Sequence, residues 1–188
     1  MRGDLELEME TARLRLRPSA PDDVSELHLL WTDAGVRRYL WDDEAIPRER
    51  AAEVVAASRR SFAEGGFGLW VLQPRDGAEI IGFCGLRRGE YTHGQLELLC
   101  GLLPRYWGRG LAAEACRAVL DHAFRRLACE RVLGITDAPN TASVRLMERL
   151  GMRYEHTLPI HGRESLVYSA RPGESGSVES RVYTAEPE

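Results

Sequence analysis

Lysine is missing altogether: the 25 basic residues are all arginine. No Schiff-base lysine and no Walker A lysine can exist, so pyridoxal-phosphate enzymes and standard P-loop kinases are excluded. The accompanying Arg and Ala bias reads as the mark of a GC-rich, bacterial-like genome, not of function. Long apolar runs are missing too. Runs such as Ile80 to Leu86 reach only seven residues, where a membrane-spanning helix needs about 20. The N-terminal MRGDLELEME is acidic and lacks an apolar h-region, so it does not read as a secretory signal, and a cytoplasmic protein is expected. Cysteine is scarce. Cys84, Cys100, Cys116 and Cys129 contain no pair two to four residues apart, which argues against a zinc knuckle or a redox CxxC. Each lies in an apolar segment and reads as a small buried hydrophobe in a reducing compartment.

What is present is an ordinary globular composition: 188 residues, 44% hydrophobic and 29% charged. That is one domain by length, large enough to bury roughly 70% of its unfolded surface. The two ends, 1–10 and 172–188, each carry four acids and one Arg; of the 29 acids and 25 bases, 21 and 23 remain between them. The acidic ends thus create the overall charge of −4 on a near-neutral body. Such a body lacks the concentrated basic surface that nucleic-acid binding requires. Residues 1–10 read as an acidic extension, 11–171 as a single domain, and 172–188 (rich in Gly, Ser, Glu and Pro) as a disordered tail.

Within the body, Ala12, Leu14 and Leu16 alternate with arginines, the period of a half-exposed strand. Ser19-Ala20-Pro21-Asp22 reads as a capping box before a helix with Val24, Leu27, Leu30 and Trp31 on one face. Residues 33–47 read as irregular, and a second helix is expected over 48–64. Three strands follow, Phe67 to Gln73, Glu79 to Leu86 and Gln95 to Leu103, the first two joined at an Asp76-Gly77 turn. The third is apolar on both faces except at Glu97, which predicts a central place in the sheet. An amphipathic helix is expected over 111–127, a strand over 131–136, a helix over Asn140 to Leu150 stopped by Gly151, and two last strands near 152–158 and 165–171.

The most informative stretch is the buried strand running through Arg105-Tyr106-Trp107-Gly108-Arg109-Gly110 directly into a helix. Glycines let backbone approach a ligand, and the orphan N–H groups of a helix start favour an anion such as pyrophosphate. A tight turn needing Gly only for its geometry would look the same. The spacing is not a Rossmann fingerprint, for want of a third Gly, and not Walker A, for want of Lys.

R-x-x-G-x-G between a strand and a helix resembles the acetyl-CoA loop of the GNAT superfamily of N-acetyltransferases. TARLRLRP resembles that family's first strand, and EIIGFCGLR the strand before the CoA-binding strand. ELLCGLLPRYWGRGLAAEA and NTASVRLMERLGM resemble the ribosomal-protein N-terminal alanine acetyltransferase (RimJ/RimL-type) branch. The resemblance spans about residues 10–170. It implies a mixed α/β (α+β) GNAT-like fold: a central twisted, mostly antiparallel sheet with a splayed central strand pair, flanked by about four helices in packed layers.

The resemblance also implies site residues. Pantetheine would pair with open backbone groups of Leu102 and Leu103, and the amides from Trp107 through Gly108, Arg109, Gly110 and Leu111 to Ala112 would hold the pyrophosphate. Arg105 and Arg109 would add charge there, unless simply solvated. Asn140 matches a cofactor-contacting position, although Asn is also a common N-cap. The chemistry it implies is direct attack of an amine on the thioester in a ternary complex, without a metal, with a backbone N–H near Leu102 or Leu103 as oxyanion donor. Glu97 is the candidate base, or else a carboxylate at the sheet rim. Many members carry a Tyr acid seven residues after the Asn; that position is Met147, and Ser143 is the remaining candidate, or else a first-turn residue bonding backbone.

Trp31, Tyr39 and Trp41 are candidates for the acceptor wall, or equally for covering the core. Tyr106 and Trp107 read as packing beneath the loop. The five histidines show no ligand spacing, with His156 and His161 nearest the expected acceptor end. The expected acceptor is a protein N-terminal α-amine or a small amine. The alternatives are an acetyltransferase for an antibiotic or metabolite amine, and a module that binds acyl-CoA without turnover. A monomer or homodimer is expected, with no nucleic-acid or membrane partner.

Overall fold

The computed structural model describes residues 7–173, so residues 1–6 of the acidic extension and the expected tail from 174 onward lie outside the described residues. The elements run β1 (Met9–Glu10), β2 (Leu14–Pro18), α1 (Val24–Thr32), α2 (Ala34–Leu40), α3 (Arg48–Gly65), β3 (Leu69–Pro74), β4 (Gly82–Arg88), β5 (Leu96–Leu102), α4 (Leu111–Arg125), β6 (Val132–Asp137), α5 (Thr141–Arg149), β7 (Arg153–Ile160) and β8 (Arg163–Ala170). They form one mixed sheet in the order β1-β2-β3-β4-β5-β6-β8-β7, antiparallel throughout except where β5 meets β6. The sheet begins before residue 11, because Met9 pairs with Leu16 and is buried.

Both faces of the sheet are covered. In β3, Trp70 and Leu72 point into a core with α4 and α5, while Leu69 and Val71 point into a second core with α1, α2 and α3. This alternation explains why β3 is a continuous apolar run. Trp70 is fully buried, and its indole N–H donates to the Leu7 carbonyl at 2.7 Å, which ties the start of the described chain to the sheet.

Two local expectations shift. Ala20, not Ser19, caps the turn at Pro21–Asp23: the Ala20 N–H donates to the Asp23 carboxylate at 2.7 Å, and Arg17 clamps that carboxylate with two bonds of 2.7 Å. Ser19 instead donates to the Ser58 hydroxyl. The segment 33–47 is not wholly irregular. Asp33 accepts from the Gly35 N–H and starts α2. A helix of seven residues gives too few turns for an apolar period to stand out, and it is the fifth helix where about four were expected.

Candidate active site

β5 is central, and its two edges differ. Toward β4 it forms a seven-residue ladder from Gly82↔Leu102 to Arg88↔Leu96. Toward β6 one pair is in register, Glu97↔Leu133, after which the strands diverge. The β4 ladder uses the peptide groups of alternate residues, continuing to the Leu103 N–H, which donates to the Ile81 carbonyl at 2.9 Å. The peptide groups of Cys100 and Leu102 therefore face the gap. This corrects the expectation for Leu103, whose N–H is committed to β4. At Leu102 the carbonyl accepts from the Trp107 indole N–H at 2.6 Å, and the N–H faces the gap. The divergence also leaves Leu98, Leu99 and Cys100 only half-buried on a strand whose sequence reads as fully buried.

The glycine loop closes the C-terminal end of that gap. Gly108 and Gly110 hold φ of 71° and 77°, the left-handed region that other residues enter at a cost, and a Cβ on Gly108 would meet nothing within 4 Å. Gly110 is the N-cap of α4, so the free N–H groups of Leu111 and Ala112 open toward the loop. Sequence reading missed the clamp that holds this loop. Glu114 accepts from the Thr11 hydroxyl (2.6 Å), the Arg13 N–H (2.8 Å) and the Arg13 guanidinium (2.7 Å). Arg13 also donates to the Arg109 carbonyl at 2.8 Å. Burial alone would raise the Glu114 carboxyl, but these donors outweigh it and hold it below its ordinary 4.5. Nothing in the spacing of residues a hundred positions apart signals this contact.

The loop side chains depart from expectation. Arg105 forms an ion pair with Glu79, which also accepts from the Tyr106 hydroxyl at 2.7 Å. Arg105 and Arg109 each lie over the Tyr106 ring, 5.2 and 5.4 Å from its centroid. Trp107 is 52% exposed and so does not pack beneath the loop, whereas Tyr106 is half-buried. Across the gap, Asn140 caps α5 by accepting from the Ser143 N–H at 3.2 Å. Ser143 is half-buried in the first turn, and Met147 lies buried against Gly134.

Glu97 shares its face of β5 with Leu99 and Leu103, which pack toward α1–α3. It is 3% exposed, with Thr92 Oγ1 donating to one oxygen at 2.9 Å and Arg87 Nε to the other at 3.2 Å. The loop between β4 and β5 roofs it so closely that a Cβ on Gly89 would collide with the carboxylate. On the same side, Trp31 is 1% exposed and packs edge-on against Trp41 and Phe83, so it belongs to the interior. Tyr39 and Trp41 are half-buried. Three loops meet beside them: the Asp42 carboxylate accepts from His161 Nδ1 (3.1 Å), and His161 Nε2 accepts from the Tyr91 hydroxyl (2.7 Å), the tautomer that satisfies both contacts. His156 lies exposed on β7 and takes no part in that bridge. A separate shallow cleft, lined by Arg88, His93, Arg131 and Arg171, lies at the opposite, N-terminal ends of β5 and β6.

A parallel strand pair that parts after one register, with a glycine-started helix at its mouth, is the feature that the sequence motifs led one to expect. The profile of the acetyltransferase (GNAT) domain matches residues 13–153. The chain belongs to the GNAT acetyltransferase family. It is an acyl-CoA N-acetyltransferase, and the family uses acetyl-CoA. Among similar proteins, the uncharacterised protein YkkB of Bacillus subtilis is 29% identical over 163 residues, covering 86% of this chain and 94% of that one. A spermidine N(1)-acetyltransferase of Escherichia coli K12 is 28% identical over 145 residues, covering 77% and 75%. A solved RimL ribosomal L7/L12 α-N-protein acetyltransferase in complex with coenzyme A superposes with a TM-score of 0.74 at 18% identity, over 87% and 97% of the two chains; it shares the fold. In this GNAT chain no helix among the described residues is long and apolar enough to cross a membrane.

Proposed function

We propose that this acetyltransferase binds acetyl-CoA in the gap between β5 and β6 and transfers the acetyl group to a primary amine entering from the α1–α3 side of the sheet. The observation that carries this reading is the single β5–β6 register followed by the positive-φ glycine loop. Cys100 and Leu102 present peptide groups to pantetheine, and the amides from Gly108 to Ala112 receive the pyrophosphate at the positive end of α4, whereas the Trp107 N–H, expected among them, donates to the Pro104 carbonyl at 3.0 Å. Arg109 adds charge there; Arg105 serves by holding Glu79 and Tyr106. Asn140 and Ser143 border the far side of the gap, Asn140 primarily as the cap of α5. Acetyl-CoA supplies the activated carbonyl.

Glu97 takes the proton from the incoming ammonium. Because it is buried and both its oxygens already accept a hydrogen bond, it does so through one intervening water. The amine then attacks the thioester carbonyl with the Leu102 N–H as oxyanion donor; the C–S bond breaks, and the second proton of the attacking nitrogen passes to the departing thiolate, which leaves as coenzyme A. Tyr39 and Trp41 line the acceptor side, with Trp31 behind them. The acceptor of the first reading is a protein N-terminal α-amine. A small polyamine is the second, favoured by the exposed acidic run Asp42-Asp43-Glu44 beside the three-loop bridge.

A thermal melt with acetyl-CoA at about 100 times its dissociation constant tests the cofactor site. Binding should add about 2.7 kcal/mol, a rise of roughly 5–10 °C for a chain of this size. An acetylation screen of peptides with free N-termini against polyamines then separates the two acceptors. No shift in the melt would overturn the site, and a shift without product on any amine would overturn the catalytic reading.

A further inference from the structure

Three of the four cysteines, 16 positions apart along the chain, converge in space. Cys84 lies on β4, Cys100 faces it across the ladder on β5, and Cys116 comes down from the second turn of α4. Their sulfurs all lie within 4.8 Å of one another, with Cys84 and Cys116 Sγ 3.8 Å apart. Cys84 and Cys116 are fully buried in the larger core, and Cys100 is half-buried on the strand that borders the gap.

We infer that these three thiols form a binding site for a soft, thiophilic monovalent cation, with Cu(I) as its chemical type. A metal bonded to three thiolates at about 2.3 Å sets the sulfurs about 3.8–4.0 Å apart, so the cluster needs only a small contraction to close on an ion. Thiolate sulfur selects Cu(I) or Zn(II). Among the described residues the cluster brings together these three ligands, without the histidine or carboxylate that would complete a tetrahedral zinc site. The apolar surroundings leave little place for a water as the fourth ligand. A three-coordinate site is therefore the better match.

Binding requires at least two thiols to release their protons to solvent as the metal–sulfur bonds form, with no change of oxidation state. Cys100, the least buried of the three, is the entry point.

The test is an anaerobic titration of the reduced full-length chain with Cu(I) against a chromophoric Cu(I) chelator, paired with thermal melts. The expected result is one equivalent per chain and a raised melting temperature. Cys100→Ala and Cys116→Ala should each weaken binding by more than the 10–100-fold typical of losing an outer-shell partner, and should abolish the thermal rise. Cys129→Ala, outside the cluster, should leave both unchanged. Cys100→Ala keeps the test sound, because its half-buried site tolerates truncation better than the two core positions. Copper that fails to compete with the chelator, binding that survives Cys100→Ala and Cys116→Ala, or zinc held as tightly as Cu(I) would each overturn the assignment.

Discussion

Single residues do unequal work around the gap. Glu97 is a lone carboxylate on an apolar strand, and the sequence already marks it as unusual; the structure adds that Thr92 and Arg87 hold both its oxygens under a roof. Glu97→Gln keeps the size, its amide oxygen can still accept from Arg87 and its NH2 can donate to the Thr92 hydroxyl, but it cannot take a proton. It should lower kcat by about 10²–10⁴ with acetyl-CoA affinity unchanged. A loss below tenfold would remove Glu97 from the proton path. Glu114 gives a second prediction, in stability. Its carboxyl is held below 4.5 in the folded chain, so its contribution is present above that value and is lost as pH falls through the lowered folded-state pKa. The melting-temperature gap between the protein and Glu114→Gln should stay constant from neutral pH to about 5 and shrink below about 4.5. A gap indifferent to acid would mean that the Thr11–Arg13–Glu114 clamp is not ionic.

At the scale of elements, strands and helices follow from local pattern where the pattern is long. α3 and α4, at 18 and 15 residues, show a clear apolar face, and the expected bounds hold within two residues at each end. α2 escapes notice because seven residues span about two turns. The glycine loop is readable because left-handed backbone needs Gly, so the sequence carries the constraint directly. Gly108→Ala should cost about 1–2 kcal/mol of stability from the strained φ. Its acetyl-CoA affinity should fall at least tenfold, about 1.4 kcal/mol, because the methyl group projects into open space where the ligand belongs. Equal acetyl-CoA affinity in calorimetry would make the loop a structural turn. Trp107 shows the limit of such reading: an aromatic beside two glycines looks like packing, yet it stands half-exposed with its N–H bonded to Leu102.

Over the whole molecule, function rests on contacts between distant segments. The Asp42–His161–Tyr91 bridge joins the loop after α2, the β7–β8 turn and the β4–β5 loop that roofs Glu97. His161→Ala should speed amide exchange in those three loops, leave exchange in the buried strands β3 and β4 untouched, and change KM for the amine more than for acetyl-CoA. Exchange unchanged in the loops would show that the bridge ties nothing together. The period of apolar residues and the turn residues were enough to determine the strands and most helices, and the glycine–helix junction was enough to mark a candidate anion loop, because each depends on neighbours within a few positions; the family followed from the resemblance of whole motifs. Only the tertiary structure decided which peptide groups of β5 face the gap, that Arg105 answers Glu79, that Arg13 clamps Glu114, and that Cys84, Cys100 and Cys116 share one point. Those outcomes depend on strand register and on how a helix seats against the sheet, and contacts between residues 16 to a hundred positions apart leave no period in the chain to read.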